Sequence, residues 1–391
     1  MKLEPGARSY DTGELEKEAA LLPRNLIEGM NQRDGENEGG LTLSREHIVT
    51  LNQYVKYVTG LPTETASLVP WLGYTDIKEP VLSVSAMRTT FLNMHKHARA
   101  WGTLSDECKK LSAELGVCAR GINTTGEGVM QECEKTKALG GRRDTWESVQ
   151  FAAPVALSFG DREIVSSLVD YMEVLKDEVE YFYARVSSVR SHTETFRDTA
   201  RFELMNEVAL KTDAIERHQA SGATQALRDE LAALDKEIDN LNKQYDEYVK
   251  AALSGLAAGP LGAVISGSIY GSKAEKVRKT RNRVQKERKA VGARLTAAVN
   301  LEGRLQVLTT HMDELATRLQ EVVTASSHLQ TAWQTIGTYI EASIEKLEKM
   351  NDSRQLGIFI IHFRNFLSQW AFIEACSITM SRVFDDTLWA Q

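Results

Sequence analysis

The chain has 391 residues and a net charge of −7; 42% of its residues are hydrophobic and 26% charged, enough apolar material for one elongated domain or for two or three compact ones. The acidic balance excludes a general nucleic-acid binder, because the basic residues are concentrated locally. Cys108, Cys118, Cys133 and Cys376 show neither CxxC spacing nor the density of a disulfide scaffold, so they read as ordinary thiols.

Residues 1–40 read as a polar, partly disordered lead-in that ends in the acidic, glycine-bearing stretch Gly29–Gly40. This stretch lacks the apolar core of a secretory signal, so export would proceed without a recognisable cleavable signal peptide. Residues 41–160 read as a helical bundle. Ser44 is placed to cap a helix with Ile48, Leu51, Val55 and Val58 on one face. Pro62, Pro70 and Pro80 punctuate a connection, and a helical pattern follows from Ser83 to Leu139, with Gly121, Gly126 and Gly128 as expected interruptions.

Beyond Pro154 the only proline is Pro260, which leaves a long proline-free segment on each side of it. The first, residues 161–250, is capped near Asp161 and carries Leu175, Val179, Phe182, Val186, Val189, Thr193, Phe196 and Ala200 in steps of four and three. It resumes with Leu227, Leu231, Leu234, Ile238, Leu241, Tyr245 and Tyr248, with a break or kink expected at Gly222. The second, residues 273–350, has the same seam from Leu305 through Leu308, Met312, Leu315, Leu319, Val322, Ser326, Leu329, Trp333 and Ile336 to Ile340. Nearer Pro260 its apolar residues fall only every seventh position, at Val277, Val284, Val291 and Ala298, while Arg281 and Arg288 occupy the alternate seam positions. Packing is weakest there, and rearrangement costs least there.

Between the two lies Ala251–Ser272, a long stretch with no charged residue. Gly259, Pro260 and Gly262 set a turn, giving two short apolar arms that are each too short for the ~20 residues a membrane-spanning helix needs. Composition alone fits either a membrane-contacting tip or a buried helical hairpin. The flank Lys273–Lys289, with nine basic residues against two acidic ones, shifts the balance towards a membrane, because Lys273, Lys276, Arg278 and Lys279 form a collar suited to anionic headgroups. Antiparallel pairing with the acidic flank Leu227–Lys250 is the competing use of those charges. Residues 351–391, with the apolar run Leu356–Leu388 interrupted by His362, Arg364 and Glu374, read as a central helix buried by the bundle rather than as a transmembrane span.

No catalytic, cofactor or metal constellation emerges, so no enzyme is expected. Gly267–Lys273 has the wrong spacing for a phosphate loop, and Gly126-Glu-Gly128 lacks the third glycine of a dinucleotide turn. His95 and His97 point to different helix faces, and Asp385 and Asp386 read as a solvated chain end.

The opening LTLSREHIVTLNQYVKYVTGLPT (Leu41–Thr63), two long coiled-coil segments, a small-residue apolar tip and a late core helix together resemble the A component of the alpha-xenorhabdolysin binary toxins. These are similar in architecture to the cytolysin A-type α-helical pore-forming toxins. The resemblance spans Leu41–Leu388 as an order of elements. It implies an all-α rod with a tail bundle, an antiparallel neck of residues 161–250 and 273–350, and a small hydrophobic head at 251–272. It further implies a lipid bilayer and a second, B, subunit as partners, in a hetero-oligomeric ring formed from soluble monomers. The membrane contacts would be Leu253, Leu256, Leu261, Val264, Ile265, Ile269 and Tyr270. A coiled-coil structural or membrane-remodelling protein is the competing class.

Overall fold

The computed structural model describes residues 12–35, 38–141, 143–218, 222–256, 271–298 and 300–388. Its helices are, in order, α1 (Thr12–Asn31), α2 (Arg45–Thr59), α3 (Thr65–Leu72), α4 (Val84–Glu134), the single turn α5 (Trp146–Val149), α6 (Phe159–Asp198), α7 (Met205–His218), α8 (Gly222–Leu256), α9 (Ser272–Ala298), α10 (Asn300–Glu348), α11 (Ser353–Leu367) and α12 (Trp370–Leu388). A π-helical turn, Thr199–Leu204, joins α6 to α7. Among the described residues the one extended pairing is an isolated bridge between Ala156 and Asp352.

The all-α reading holds, and so do the seams of α6 and α10, whereas on the resumed seam Leu227, Leu234 and Leu241 are only half-buried and Tyr248 is exposed. From Leu175 to Ala200 on the first segment and from Leu305 to Ile340 on the second, every residue assigned to a seam is buried. α6 and α10 run antiparallel, with Lys176 paired to Glu341 (3.2 Å) and Arg190 donating to Gln330 (2.6 Å). At ~1.5 Å per residue the 49 residues of α10 extend about 74 Å, so α10 serves as the axis of the molecule. An aromatic chain through Phe182, Trp333, Trp370 and Phe366 ties this axis to the C-terminal helices.

Several expectations are corrected. The lead-in is helical over 12–31: Pro23 and the acidic surroundings disguise an amphipathic helix whose Leu15, Ala19, Leu22, Leu26 and Met30 enter the core. α4 is uninterrupted, and Gly116, Gly121, Gly126 and Gly128 serve close packing rather than helix breaking: a Cβ on Gly126 would lie 2.2 Å from Leu367 Cδ2, and one on Gly116 2.5 Å from Ser377 Oγ. The cap of α6 is Ser158, not Asp161. Asp161 is the third residue of its capping box, with its N–H donated to Ser158 Oγ (3.1 Å) and its carboxylate accepting from Ser158 Oγ (2.7 Å). The late core element is two helices, α11 and α12, which bury Phe359, Ile360, Phe363, Phe366, Trp370 and Ile373. All four cysteines are free and buried, and burial pushes Cys108, Cys118 and Cys133 up to about 12.

The largest correction concerns the neck. Residues 161–250 are divided by the π-helical turn and again between His218 and Gly222, as expected at Gly222, but residues 273–350 are also divided, between Ala298 and Asn300. α8 runs opposite to α7, and α10 opposite to α9. On α9 and α10, Arg281 meets Glu321, Gln285 donates to Thr317 (2.8 Å) and Arg288 donates to Thr310 (2.6 Å), a descending register that only an antiparallel pair produces. On α7 and α8, Met205 shares a small cavity with Asp239 and Asn242, while Arg201 lies beside Asp246. α8 and α9 therefore form a hairpin folded back along the body.

Candidate membrane hairpin and its ionic clamp

α8 and α9 pair along apolar ridges spaced by seven, Leu231, Ile238 and Tyr245 against Val277, Val284 and Val291, all buried. Charge matching accompanies them: Arg288 binds Asp235, Arg294 binds Glu230 (2.7 Å) and Arg281 donates to Asn242 (3.3 Å). Of the basic flank Lys273–Lys289, these contacts neutralise Arg288. Leu231 and Val291 form a satellite cluster apart from the main core, whereas Tyr245, Val249, Ala274 and Val277 join that core.

The hairpin is held on the body by a buried ionic cluster centred on Glu321 of α10. Its carboxylate meets Arg281, Arg278 Nη1 (3.4 Å), Arg318 Nη1 (3.7 Å) and His47 Nε2 (2.8 Å), and Glu321, Arg281 and His47 are all inaccessible to solvent. Ser44 N–H donates to His47 Nδ1 (3.3 Å), so Nε2 carries the proton given to Glu321 and the ring is neutral. Arg278 also forks onto Glu275 (2.9 and 3.0 Å) and reaches Asp34 (2.8 Å), while Arg281 lies 4.9 Å from the Tyr245 ring centroid. Burial alone would raise the pKa of Glu321; the His47 hydrogen bond and the charges of Arg281 and Arg318 outweigh it and hold the carboxyl well below its usual range. Asp34 is lowered likewise, burial being outweighed first by Arg278.

The residues assigned to the site from sequence divide accordingly. Lys273, Lys276 and Lys279 are exposed at the start of α9, with Lys273 5.7 Å from the Tyr248 ring centroid and Lys279 3.5 Å from Glu275. Arg278 does not belong with them: only 6% of its side chain is exposed, and its guanidinium is taken by Glu275, Asp34 and Glu321. Leu253 and Leu256 lie in the last turns of α8. Leu261, Val264, Ile265, Ile269, Tyr270 and the turn residues Gly259, Pro260 and Gly262 lie outside the described residues. Glu321, His47 and Asp34 were not anticipated. Their signal was indirect, since arginines on core positions, Arg281 and Arg288, demand buried acceptors.

No family model matches the chain, and no curated protein does. Solved structures do. Soluble SmhB of the tripartite α-pore-forming toxin Smh from Serratia marcescens aligns over 94% of this chain and 92% of its own, with a TM-score of 0.53 at 11% identity. Soluble SmhA of the same toxin aligns over 97% and 96%, with a TM-score of 0.52 at 12% identity. This chain has the fold of α-pore-forming toxin components. YaxA from Yersinia enterocolitica is also similar, at 21% identity over 88% of this chain and 97% of its own, with a TM-score of 0.48.

The clamp histidine belongs to a wider set that gives the fold a pH dependence. Burial lowers His47, and lowers His97, His311 and His328 to about 4. The neutral His97 gives Nε2–H to Phe196 O (2.8 Å) and accepts from Tyr54 Oη at Nδ1 (2.8 Å), a pattern that protonation destroys. In the unfolded chain these rings take up protons below ~6.5, where the folded chain does not, so stability falls as pH drops from about 6.5 towards 4. Glu321 and Asp34, both depressed, extend the loss at lower pH. Asp246 and Asp313, raised by burial, oppose it in part. Thermal midpoints should decline over that window, with net proton uptake on unfolding; a flat profile between pH 7 and 5 would contradict the assignment.

Proposed function

We propose that this chain is one subunit of a two-component α-helical pore-forming cytolysin that is exported, meets a target membrane through residues 251–272, and joins a partner subunit in a ring-shaped pore. The observation that carries this reading is the charge-free apolar segment that links α8 to α9 in sequence, in a hairpin that is folded back and fastened by a compact ionic clamp. A permanent structural hairpin has no need of so apolar a connection, whereas a membrane head needs one that the soluble protein can withhold. On release, α6 to α8 and α9 to α10 straighten into the two neck segments 161–250 and 273–350. Valine, alanine, leucine and methionine recur every seventh position from Val277 through Ala298 to Met312, in one register across the reversal, which suits a continuous helix as well as a hairpin.

The need for a partner follows from length. Each arm of the head, 251–258 and 261–270, reaches about 12–15 Å as a helix, half of the roughly 30 Å hydrocarbon core. Drawing it deeper would bring Asp246, Glu247, Lys250 and Lys273 into lipid unless they faced a partner chain or a water-filled lumen. SmhA and SmhB, components of a tripartite toxin, share the fold and support a multi-component reading.

Dye release from anionic vesicles tests the proposal. The chain alone should bind and release little dye, and release should follow addition of a second component. Binding should weaken with salt through screening of Lys273, Lys276 and Lys279. Rapid release by the chain alone would refute the two-component reading, and binding without release under any condition would favour a membrane-remodelling protein.

A further inference from the structure

The tail end of the molecule carries apolar surface that the proposed function does not use. Between α5 and α6 the chain runs Phe151-Ala152-Ala153-Pro154-Val155-Ala156-Leu157-Ser158-Phe159, and of these nine residues only Leu157 is buried. Phe151 is 84% exposed, Phe159 74% and Val155 62%. Aromatic side chains that open to solvent protrude; they do not line a groove.

The support beneath them is fixed. Leu157 N–H donates to Asn351 O (2.9 Å), Ser353 N–H to Val155 O (2.9 Å) and Val155 N–H to Ser353 Oγ (3.1 Å). The capping box of Ser158 and Asp161 closes the far side, and Asp161 also accepts from Lys137 N–H (2.8 Å). Little ordering remains for a ligand to impose.

The same support carries exposed cations. Lys137, Arg162 and Arg354 form no ion pair among the described residues. Most neighbouring acids are already engaged: Asp161 in the cap, Asp352 on the N–H groups of Arg354 and Gln355, and Glu147 on Arg364. Glu163 remains exposed.

We propose that this loop is a second membrane-docking surface, with Phe151, Val155 and Phe159 entering the interfacial zone of an anionic bilayer and Lys137, Arg162 and Arg354 meeting headgroup phosphates. Protruding apolar tips ringed by uncommitted cations match a soft anionic surface; a protein partner would have to supply a pocket for each aromatic ring. α8 runs parallel to α10, whose C-terminal end meets this loop through Asn351, so the Leu256 end of α8 faces the same way. A molecule docked by the loop therefore points the Leu256 end of α8 towards the bilayer. The loop's own binding does not depend on the role of residues 251–272.

Because all four native cysteines are buried, a Val155→Cys protein takes an environment-sensitive fluorophore at that site alone. With phosphatidylserine-containing vesicles the label should brighten and shift to the blue, with little change on phosphatidylcholine. Adding Phe151→Ser and Phe159→Ser should weaken this partition about tenfold or more without moving the thermal midpoint, because both side chains are exposed. Leu256→Asp, which disables the hairpin tip, should leave the label's response intact, so failure of the head reading would not remove it. The proposal is overturned if the label stays silent with anionic vesicles, if the serine variant partitions as its parent does, or if the label responds to protein concentration alone, which would mark a self-association surface.

Discussion

Replacing Glu321 by Gln is expected to release the α8–α9 hairpin from the body at a cost of ~3–5 kcal/mol, the usual penalty for removing one partner from a buried ion pair. The carboxylate is inaccessible to solvent and faces Arg278, Arg281 and Arg318, and His47 donates to it as well. Without its charge, Arg281 keeps Asn242, the Tyr245 ring and the weaker pull of Asp246 and Asp313. Arg278 keeps Glu275 and Asp34, and Arg318 keeps Glu46. The cheapest relief is for α9 to withdraw its two arginines into water. Hydrogen exchange should therefore accelerate in α8 and α9 while α4, α6 and α12 stay protected, because the latter pack mainly on one another and on α10. The double replacement Glu321→Met with Arg281→Met should cost less than Glu321→Gln alone, since it removes the central pair together. Unchanged exchange in α9, or equal loss across all helices, would show that the cluster is not what holds the hairpin.

The fold was legible in the sequence wherever apolar spacing decided it. The seams on α6 and α10 are buried as their four-three steps require, and the antiparallel charge matching of α8 with α9 follows from an acidic and a basic flank on either side of Pro260. The reversal between Ala298 and Asn300 was not legible, because that stretch has neither proline nor glycine and the seven-residue spacing runs through it without a shift. What turns the chain there is tertiary: Arg278 and Arg281 reach Glu321, and Arg278 reaches Asp34, only if α9 lies back along α10. α1 was hidden for a different reason, since Pro23 and its polar surroundings mask a helix whose apolar face has meaning only against α10 and α12. The candidate site was half legible. The apolar segment and its lysines stand out in the chain, but the partners of Arg278 lie 244 and 43 residues away, where no local pattern could join them.

Fastening α9 to α10 should abolish pore formation, which is the largest functional effect the account requires. Lys289 and Glu314 meet at the accessible edge of that interface with Nζ and Oε2 3.5 Å apart, so Lys289→Cys with Glu314→Cys can be joined by a cleavable thiol-to-thiol linker without relying on disulfide geometry. The native cysteines are buried and will not compete. In the joined protein α9 and α10 cannot straighten into one neck helix, and α9 stays beside the body. The decisive measurement is dye release from anionic vesicles by this protein with its second component, before and after the linker is cleaved. The account predicts no release from the joined form and full recovery on cleavage; release at the same rate from both would show that the folded-back hairpin is already the working conformation.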